Sequence, residues 1–548
     1  MSISTTLITT RLKDNWKSGL TVALVSIPLS ISLAIASGAT PIMGIITAVW
    51  AGLIASFFGG SNYNIVGPAG ALSGILAAYA LLHGAGSLPL IAIIAGIIIL
   101  ISYIFRLERF LTFVPGSTIH GFTLGVGIII ALNQLNFAFG LSGLPKHEEF
   151  IKNVWESIIH IGNASLTTYL VFASFFIALF ILLKLTPKIP GALTVAPIGI
   201  LFGYLTTTGI INLPLETIGS KFGDIKATLF MMPELSFNTS ILISAGAVAF
   251  VAILETMLAA KIADGMTKTN YNERKEMVGL GLANIGSGLA GGLPATGVLV
   301  RTAINVRTGA NHKTSQGLNA IFVGLISLIL FPYFKFLPMA VIAAILIFSA
   351  IRMVESEHFI RFYHHDKVGF WIALSVAFIT VYKDPIFGLL FGTAISLLLL
   401  VEKLSRGQFD LKINTPEQGM IASVSGDHLK HEEQLGADNH ILVYSIKGQL
   451  SYINSQAHIA RFRSGLNGYQ AVILRLRELH FIDIDGVDAI DDIIDLLIEK
   501  GKKVSITGAN DFTTKSLEND SENYKKLKAE GLVFNKTSDA LKHFGINI

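Results

Sequence analysis

From Ser18 to Phe105 the chain runs SGLTVALVSIPLSISLAIASGATPIMGIITAVWAGLIASFFGG and then SNYNIVGPAGALSGILAAYALLHGAGSLPLIAIIAGIIILISYIF, without one Lys, Arg, Asp or Glu. Loops and helix faces in water need charge for solubility, so an uncharged run of this length belongs in lipid. Of all 548 residues, 14% are charged and 52% hydrophobic, whereas about a quarter of an ordinary soluble domain is charged. The mean hydropathy is +0.62. The deficit of charge is uneven, because residues 401–548 have a soluble composition. A net charge of +4 gives no basis for a nucleic-acid partner. The chain has no cysteine, which excludes disulfides and thiolate metal sites. Residues 1–16 are polar, and Arg11, Lys13 and Lys17 place the N-terminus in the cytoplasm by the positive-inside rule. The apolar run behind them is too long for a cleaved signal peptide.

A spanning helix needs about 20 apolar residues. Fourteen candidate segments follow: 20–36, 42–58, 65–82, 88–105, 119–137, 169–185, 192–205, 241–260, 277–291, 296–309, 318–334, 338–351, 368–381 and 386–401. Several are too short to cross alone. An even number puts both termini on one face. The polar stretches 106–109, 219–234, 268–276 and 352–367 read as loops, and 146–156 is the main polar break in the first half. The layout is therefore a cytoplasmic segment (1–16), a membrane domain (17–402), a linker (403–438) and a soluble domain (439–548).

The two halves resemble each other. Gly19-Leu-Thr-Val-Ala-Leu-Val-Ser-Ile-Pro28 matches Gly246-Ala-Val-Ala-Phe-Val-Ala-Ile-Leu-Glu255 in pattern. At nearly equal distances beyond lie Pro68-Ala-Gly-Ala71 and Pro294-Ala-Thr-Gly297. Two repeats of seven segments follow, and an odd number inverts the second copy in the membrane. The Gly67-Pro68 and Leu293-Pro294 breaks read as places where a helix is interrupted inside the membrane. Freed backbone N–H groups there must face protein, water or ligand. Two half-helix N-termini meeting near the midplane make an anion site without any charged side chain. A plain kink or close packing is the alternative for either break alone.

Few charges lie within the spans. Glu255 sits in a long apolar stretch, where a carboxylate is expensive and usually functional. Burial disfavours the ionised form, so such a group carries a proton; ionised, it holds Na⁺. A structural pair with Lys or Arg is the alternative. Arg301 follows Pro294 by about two turns of the expected half-helix and would add a permanent cation beside the anion pocket. A snorkelling Arg is its alternative. Arg307 reads as interfacial, Lys261 and Asp264 as rim residues, and His364-His365 as solvated. No hydrolase triad, phosphate loop or histidine metal motif appears, so no enzyme and no cofactor is expected. Residues 439–548 alternate strands (441–446, 471–476, 503–506) with helices (454–462, 488–500, 511–517), a small α/β domain of parallel-sheet type.

Together these features resemble the SulP anion permeases, the bacterial relatives of prestin and pendrin. The likeness is carried by Ile27-Pro28 with Ala36-Ser-Gly38, by Gly59-Gly-Ser61 and Val66-Gly-Pro68-Ala69, and by Arg301-Thr-Ala-Ile-Asn305 with Gly309-Ala310. The tail resembles a STAS domain, with Phe481-Ile-Asp-Ile-Asp-Gly486 at its diagnostic turn. The resemblance implies a polytopic α-helical fold of 14 segments as two inverted seven-segment repeats, split into core and gate subdomains, with a small α/β STAS domain. It implies a secondary active transporter of bicarbonate, sulfate or a similar anion in a bacterial plasma membrane, working as an elevator and commonly dimeric. The anion would lie between segments 3 and 10, at Ala69, Gly70, Ala71, Gly297, Val298, Leu299, Val300 and Arg301. Glu255 would couple transport to H⁺ or Na⁺. An exchanger, an uncoupled channel or motor, and a sensor signalling to a soluble partner of the STAS domain stay open. Many sulfate-type members carry Gln where this chain has Leu29, which points toward the bicarbonate branch, whereas Arg301 is a fixed cation that Na⁺-bicarbonate members need not have. Ile484 and Asp485 lack the hydroxyl of a STAS phospho-switch.

Overall fold

The structure is a computed structural model that describes residues 5–548 apart from 107–108, 110–112, 146, 148, 187–190, 224–226, 235–236, 384, 416–418, 426–439, 465–468 and 547–548. The chain divides into two compact units, Met1–Ala394 and Ile395–Ile548. α1 (Thr5–Ala36) and α2 (Pro41–Phe58) lead to β1 (Val66–Gly67). There follow α3 (Gly70–His83), α4 (Leu88–Ile104), α5 (Gly116–Leu132), α6 (Leu135–Phe139), α7 (Phe150–Ile159), α8 (Leu166–Leu185), α9 (Gly191–Thr207) and α10 (Ile218–Phe222). The second half comprises α11 (Thr239–Thr267), α12 (Glu273–Leu289), β2 (Thr296–Gly297), α13 (Leu299–Arg307), α14 (Thr314–Phe334), α15 (Met339–Met353), α16 (Ser356–His365), α17 (Lys367–Tyr382) and α18 (Pro385–Ser405).

Every expected segment meets a helix, and among the described residues nine helices are long and apolar enough to cross a membrane. Three expected loops contain helix instead: most of α10 in 219–234, the first turn of α12 in 268–276, and α16 in 352–367; the polar break 146–156 holds the start of α7. Hydropathy passes over such elements because they are short and polar. Their caps are local: Thr217 and Ser220 form a reciprocal box at α10, and Asn272 Oδ1 accepts from Lys275 N at 2.9 Å at α12. Leu107 and Glu108 of the expected loop 106–109, and residues 1–4 of the N-terminal segment, lie outside the described residues.

The helix contacts carry the repeat. α1 packs on α14 as α11 packs on α4; α2 packs on α14 as α12 packs on α4. Likewise α5 packs on α17 as α15 packs on α8, and α1 on α13 as α11 on α3. Exchanging the series α1–α5, α8, α9 with α11–α15, α17, α18 therefore maps neighbours onto neighbours, the signature of a two-fold-related repeat. α1–α4 pack with α11–α14 as one group, and α5, α8, α9, α15 and α17 as another. Within the first group backbones approach closely: a Cβ on Gly44 would stand 2.1 Å from the Ser30 carbonyl oxygen of α1.

α3 has 14 residues and α13 has nine. At ~1.5 Å per residue neither spans the ~30 Å of a hydrocarbon core. Extended chain makes up the difference, and β1 pairs antiparallel with β2, Val66 opposite Gly297 and Gly67 opposite Thr296. The backbone leading into β1 is matched group by group. Tyr63 O accepts from Asn305 Nδ2 at 2.8 Å, Asn64 N donates to Ser61 Oγ, and Ile65 N donates to Thr302 Oγ1 at 3.0 Å. Ile65 O accepts from Val298 N at 2.8 Å. On the other approach, Leu293 N donates to Thr47 Oγ1 at 2.6 Å, and Leu293 O accepts from Ser287 Oγ at 2.7 Å. Asn284 pairs with both backbone groups of Ala295, at 2.9 and 3.0 Å.

The second unit begins its sheet earlier than expected. β3 (Gln408–Thr415) and β4 (Gly419–Ser425) fall in the expected linker 403–438, followed by β5 (His440–Leu450), α19 (Ser455–Ser464), β6 (Tyr469–Ile482) and α20 (Ile484–Glu499). β7 (Lys503–Thr507), α21 (Asp511–Asp520), α22 (Glu522–Ala529), β8 (Val533–Phe534) and α23 (Thr537–His543) complete it. Phe409, Leu411 and Ile413 are buried at alternate positions, the period of a half-buried strand, and they fix β3 on the core. Residues 426–438 of that linker lie outside the described residues. The sheet order is β4-β3-β5-β6-β7-β8. β5 to β8 are parallel, but β3 runs antiparallel to both neighbours, so the sheet is mixed rather than parallel. α20 starts at Ile484, earlier than expected, because Asp483 Oδ1 accepts from Gly486 N at 2.9 Å and caps it. His458 is fully buried beside the Tyr444 hydroxyl at 2.7 Å. Burial, aided by the nearby Arg461 charge, pushes its imidazole down to about 3.

Asn284→Leu keeps the branched shape but strands two backbone groups, each worth about 1–3 kcal/mol when buried unpaired. The variant unfolds at a clearly lower temperature in detergent; an unchanged midpoint contradicts this role. His458 stays neutral in the fold while the unfolded chain protonates near pH 6.5, so the C-terminal unit loses stability as pH falls from about 6.5 toward 3. Hydrogen exchange of β5 and α19 in the full chain rises over that range, and the His458→Gln variant flattens the dependence.

Candidate functional site

β1 and β2 deliver two helix starts to one place. Ala69 caps α3 and Val298 caps α13, both in extended conformation and both without a side-chain cap bond. The first-turn N–H groups of each helix point out of its end and lack intrahelical partners by geometry. Antiparallel pairing of β1 with β2 brings these ends beside each other from opposite repeats. The two macrodipoles thus put positive potential into one region.

The expected residues do not contribute equally. Ala69 and Ala71 are buried with Gly70 between them. A Cβ on Gly70 would stand 2.5 Å from Ile130 Cδ1 of α5, so an apolar side chain of the other helix group closes over the α3 start. Gly297 is buried in β2, and its N–H donates to Thr256 Oγ1 at 2.7 Å. The Val298 N–H is already given to Ile65 O. Leu299 is half-buried and the Val300 side chain is 39% exposed, so these two offer backbone only. The amides of Gly70, Ala71, Leu299, Val300 and Arg301 are the donors at the helix starts.

Arg301 is the third residue of α13, not two turns along it, because the helix begins at Leu299 rather than behind Pro294. Its side chain is 1% exposed and turns back across β1. Nη2 donates to the Pro68 carbonyl, and Nε has no partner. Nη1 lies against the Gly67 Cα, where an added Cβ would stand 2.7 Å from it. Among the described residues no carboxylate comes within ion-pair distance of this guanidinium. A buried charge satisfied by one carbonyl is costly and becomes favourable when an anion joins it.

Glu255 lies midway along α11, half-buried, and its Oε2 accepts from Thr296 Oγ1 at 2.7 Å. With Thr256 bonded to Gly297, two successive residues of α11 hold both residues of β2. The pairing register also corrects the expected match of breaks. The local two-fold sets Gly67 against Gly297, which makes Val298 the counterpart of Pro68 and Arg301 that of Ala71. Pro294 precedes β2 and has no such partner.

Sequence reading missed Glu276. It is 3% exposed, and its Oε2 accepts from Gly60 N and Ser61 N at 2.7 and 2.8 Å. Its Oε1 accepts from Asn64 Nδ2 at 2.7 Å, and Asn64 Oδ1 accepts from Thr302 Oγ1 at 3.0 Å. Lys313 Nζ donates to Phe57 O at 2.8 Å and to Gly59 O at 3.2 Å. This buried carboxylate pins the turn that starts β1. The signal was Gly59-Gly-Ser61, in which the successive N–H groups of Gly60 and Ser61 form an anion cradle.

A family model described as the sulfate permease family matches residues 12–376, and one described as the STAS domain matches 434–521. The YvdB protein of Bacillus subtilis (strain 168), whose name marks it as a candidate sulfate transporter, is 30% identical over 502 residues, covering 90% of each chain. Bicarbonate transporter BicA of Picosynechococcus sp. is 23% identical over 526 residues, 91% of this chain and 89% of its own. Murine Solute Carrier 26 family member A9, an anion transporter, has the same fold at a TM-score of 0.80 and 14% identity, covering 100% of this chain and 93% of that one. The transmembrane domain of a cyanobacterial BicA matches at 0.61 and 23% identity, covering 69% of this chain and 97% of that one. With two thirds of its length matched to the family and its tail matched to the companion domain, the chain belongs to the sulfate permease family and carries a STAS domain.

Proposed function

We propose that this membrane protein is a secondary active transporter that moves bicarbonate or sulfate together with H⁺ or Na⁺. The anion is held between the starts of α3 and α13 by the amides of Gly70, Ala71, Leu299, Val300 and Arg301 and by the Arg301 guanidinium. The observation that carries the reading is Arg301: a fully buried cation with an unpartnered Nε beside two uncapped helix N-termini. The choice of anions rests on the names of the relatives, which include transporters of both. Coupling rests on Glu255, whose hydroxyl partner Thr296 belongs to the strand beside the anion. A proton or Na⁺ at Glu255 changes the charge felt at that strand, and so links the two ions electrostatically.

Alternating access is an elevator motion of α1–α4 with α11–α14 against the remaining helices. Its support is the division of packing into two groups and the apolar character of their meeting at Ile129 and Ile130 of α5, which face Gly74 and Gly70 of α3. Such a surface slides without breaking ion pairs. We place both termini in the cytoplasm from Arg11, Lys13 and Lys17. We further assign the protein as a homodimer in the lipid bilayer whose STAS domain is free to engage a soluble partner.

Purified protein in liposomes takes up labelled bicarbonate or sulfate when a proton or Na⁺ gradient is imposed. Glu255→Gln keeps the bond from Thr296 but cannot change charge, so gradient-driven uptake falls by about tenfold or more; full coupled uptake in this variant would falsify the coupling role. Arg301→Gln removes a charge-assisted bond of about 1.5–3 kcal/mol, so the half-saturating anion concentration rises by about tenfold or more. Unchanged saturation there defeats the site. Flux far above carrier rates, without any response to the gradient, points to a channel instead.

A further inference from the structure

Away from the anion site, three side chains converge where α5 meets the joint between α15 and α16. His120 lies in the second turn of α5, Glu355 stands at the start of α16, and His358 follows it by one turn. His120 Nδ1 is 3.3 Å and His358 Nε2 is 3.6 Å from the same oxygen, Glu355 Oε2. The three ligand atoms lie within 4.8 Å of one another. The two imidazoles stack with centroids 4.1 Å apart, and Phe362 packs its edge on His120. Glu355 occupies the N-cap position of α16 yet makes no cap bond, so its carboxylate is aimed at the histidines rather than at the helix backbone.

We propose that His120, Glu355 and His358 bind a divalent transition metal of the zinc type. Ligands about 2.0–2.1 Å from one tetrahedral zinc stand roughly 3.3 Å from each other. The two His–Glu separations are already near that spacing, so a metal enters with small side-chain rotations. Two imidazoles and a carboxylate with no thiolate suit zinc, cobalt, nickel or copper and disfavour magnesium and calcium, which want oxygen alone. All three side chains are partly exposed, which leaves a way in and a fourth position for water. The three ligands come from two separate stretches of chain, so the metal would clip α5 to the α15–α16 joint. Both belong to the same helix group, so the clip stiffens that group without crossing to the other.

Another histidine pair flanks a carboxylate at His147, Glu156 and His160, but there each imidazole faces a different oxygen, at 3.1 and 3.4 Å. It serves as the internal control. The experiment uses tag-free full chain in lipid nanodiscs, titrated with Zn²⁺ by calorimetry and with Co²⁺ by visible absorption. One equivalent binds, Co²⁺ gives the intense bands of a tetrahedral site, and saturating Zn²⁺ raises the unfolding temperature. His120→Ala and His358→Ala each weaken binding by about tenfold or more and abolish the thermal shift, whereas His147→Ala changes neither. Should His120→Ala perturb the metal-free fold, His358→Ala alone decides, since its side chain is half-exposed on a short surface helix. No saturable binding, binding retained in the His358→Ala variant, or binding lost in the His147→Ala variant overturns the site.

Discussion

Backbone that leaves a helix inside lipid must find hydrogen-bond partners within the protein, because hydrocarbon offers none. The chain leaves its helices twice at such depth, between α2 and α3 and between α12 and α13. Both excursions are matched by buried polar side chains. Asn305, Thr302 and Ser61 serve the first, and Asn284, Thr47, Ser287 and Thr256 serve the second. At the point where the two excursions meet, the first-turn amides of α3 and α13 and the Nε of Arg301 are donors without such service. These are the donors that the proposed function assigns to the anion.

The same matching makes the α1–α4 and α11–α14 group stiff. Glu276 ties a turn of one repeat to a helix of the other, and β1–β2 pairing crosses between repeats again. Gly44 lets α2 sit against the α1 backbone. A body cross-linked in this way moves as a unit or not at all. Where it faces α5 the contact is made by isoleucine against glycine, and dispersion contacts of that kind re-form at a new register at little cost. Rigidity inside the group and apolar contact outside it are both conditions for moving a bound anion without distorting its site.

Much of this was legible in the sequence, for reasons that differ by feature. Helices declared themselves by length and hydropathy, and Glu255 and Arg301 by standing as charges in apolar surroundings. The β1–β2 pair could not be read, because two residues have no periodicity and the partner lies in the other repeat. Pro68 and Pro294 looked equivalent, yet only the register shows that Val298 stands where Pro68 does. Glu276 looked like a loop residue because its partners are backbone N–H groups, which leave no mark in side-chain identity. β3 was lost in the linker since Phe409, Leu411 and Ile413 alternate over too short a stretch to stand out.

The repeat is symmetric in helices and asymmetric in charge. The two-fold that pairs the helix starts sets Arg301 against Ala71, and the matching stretches of α1 and α11 set Glu255 against Pro28. Both ionisable groups of the candidate site therefore belong to the second repeat. Two equal dipole ends alone would attract an anion without distinguishing one repeat from the other. Placing one cation and one carboxyl group on a single side breaks that equality: in the proposed function the substrate would be drawn toward α13, where Glu255 accepts a hydrogen bond from the Thr296 hydroxyl of β2. Under that proposal substrate and coupling ion would share β2 as their common support, and a change of charge at Glu255 would be felt first at the half of the site that holds Arg301.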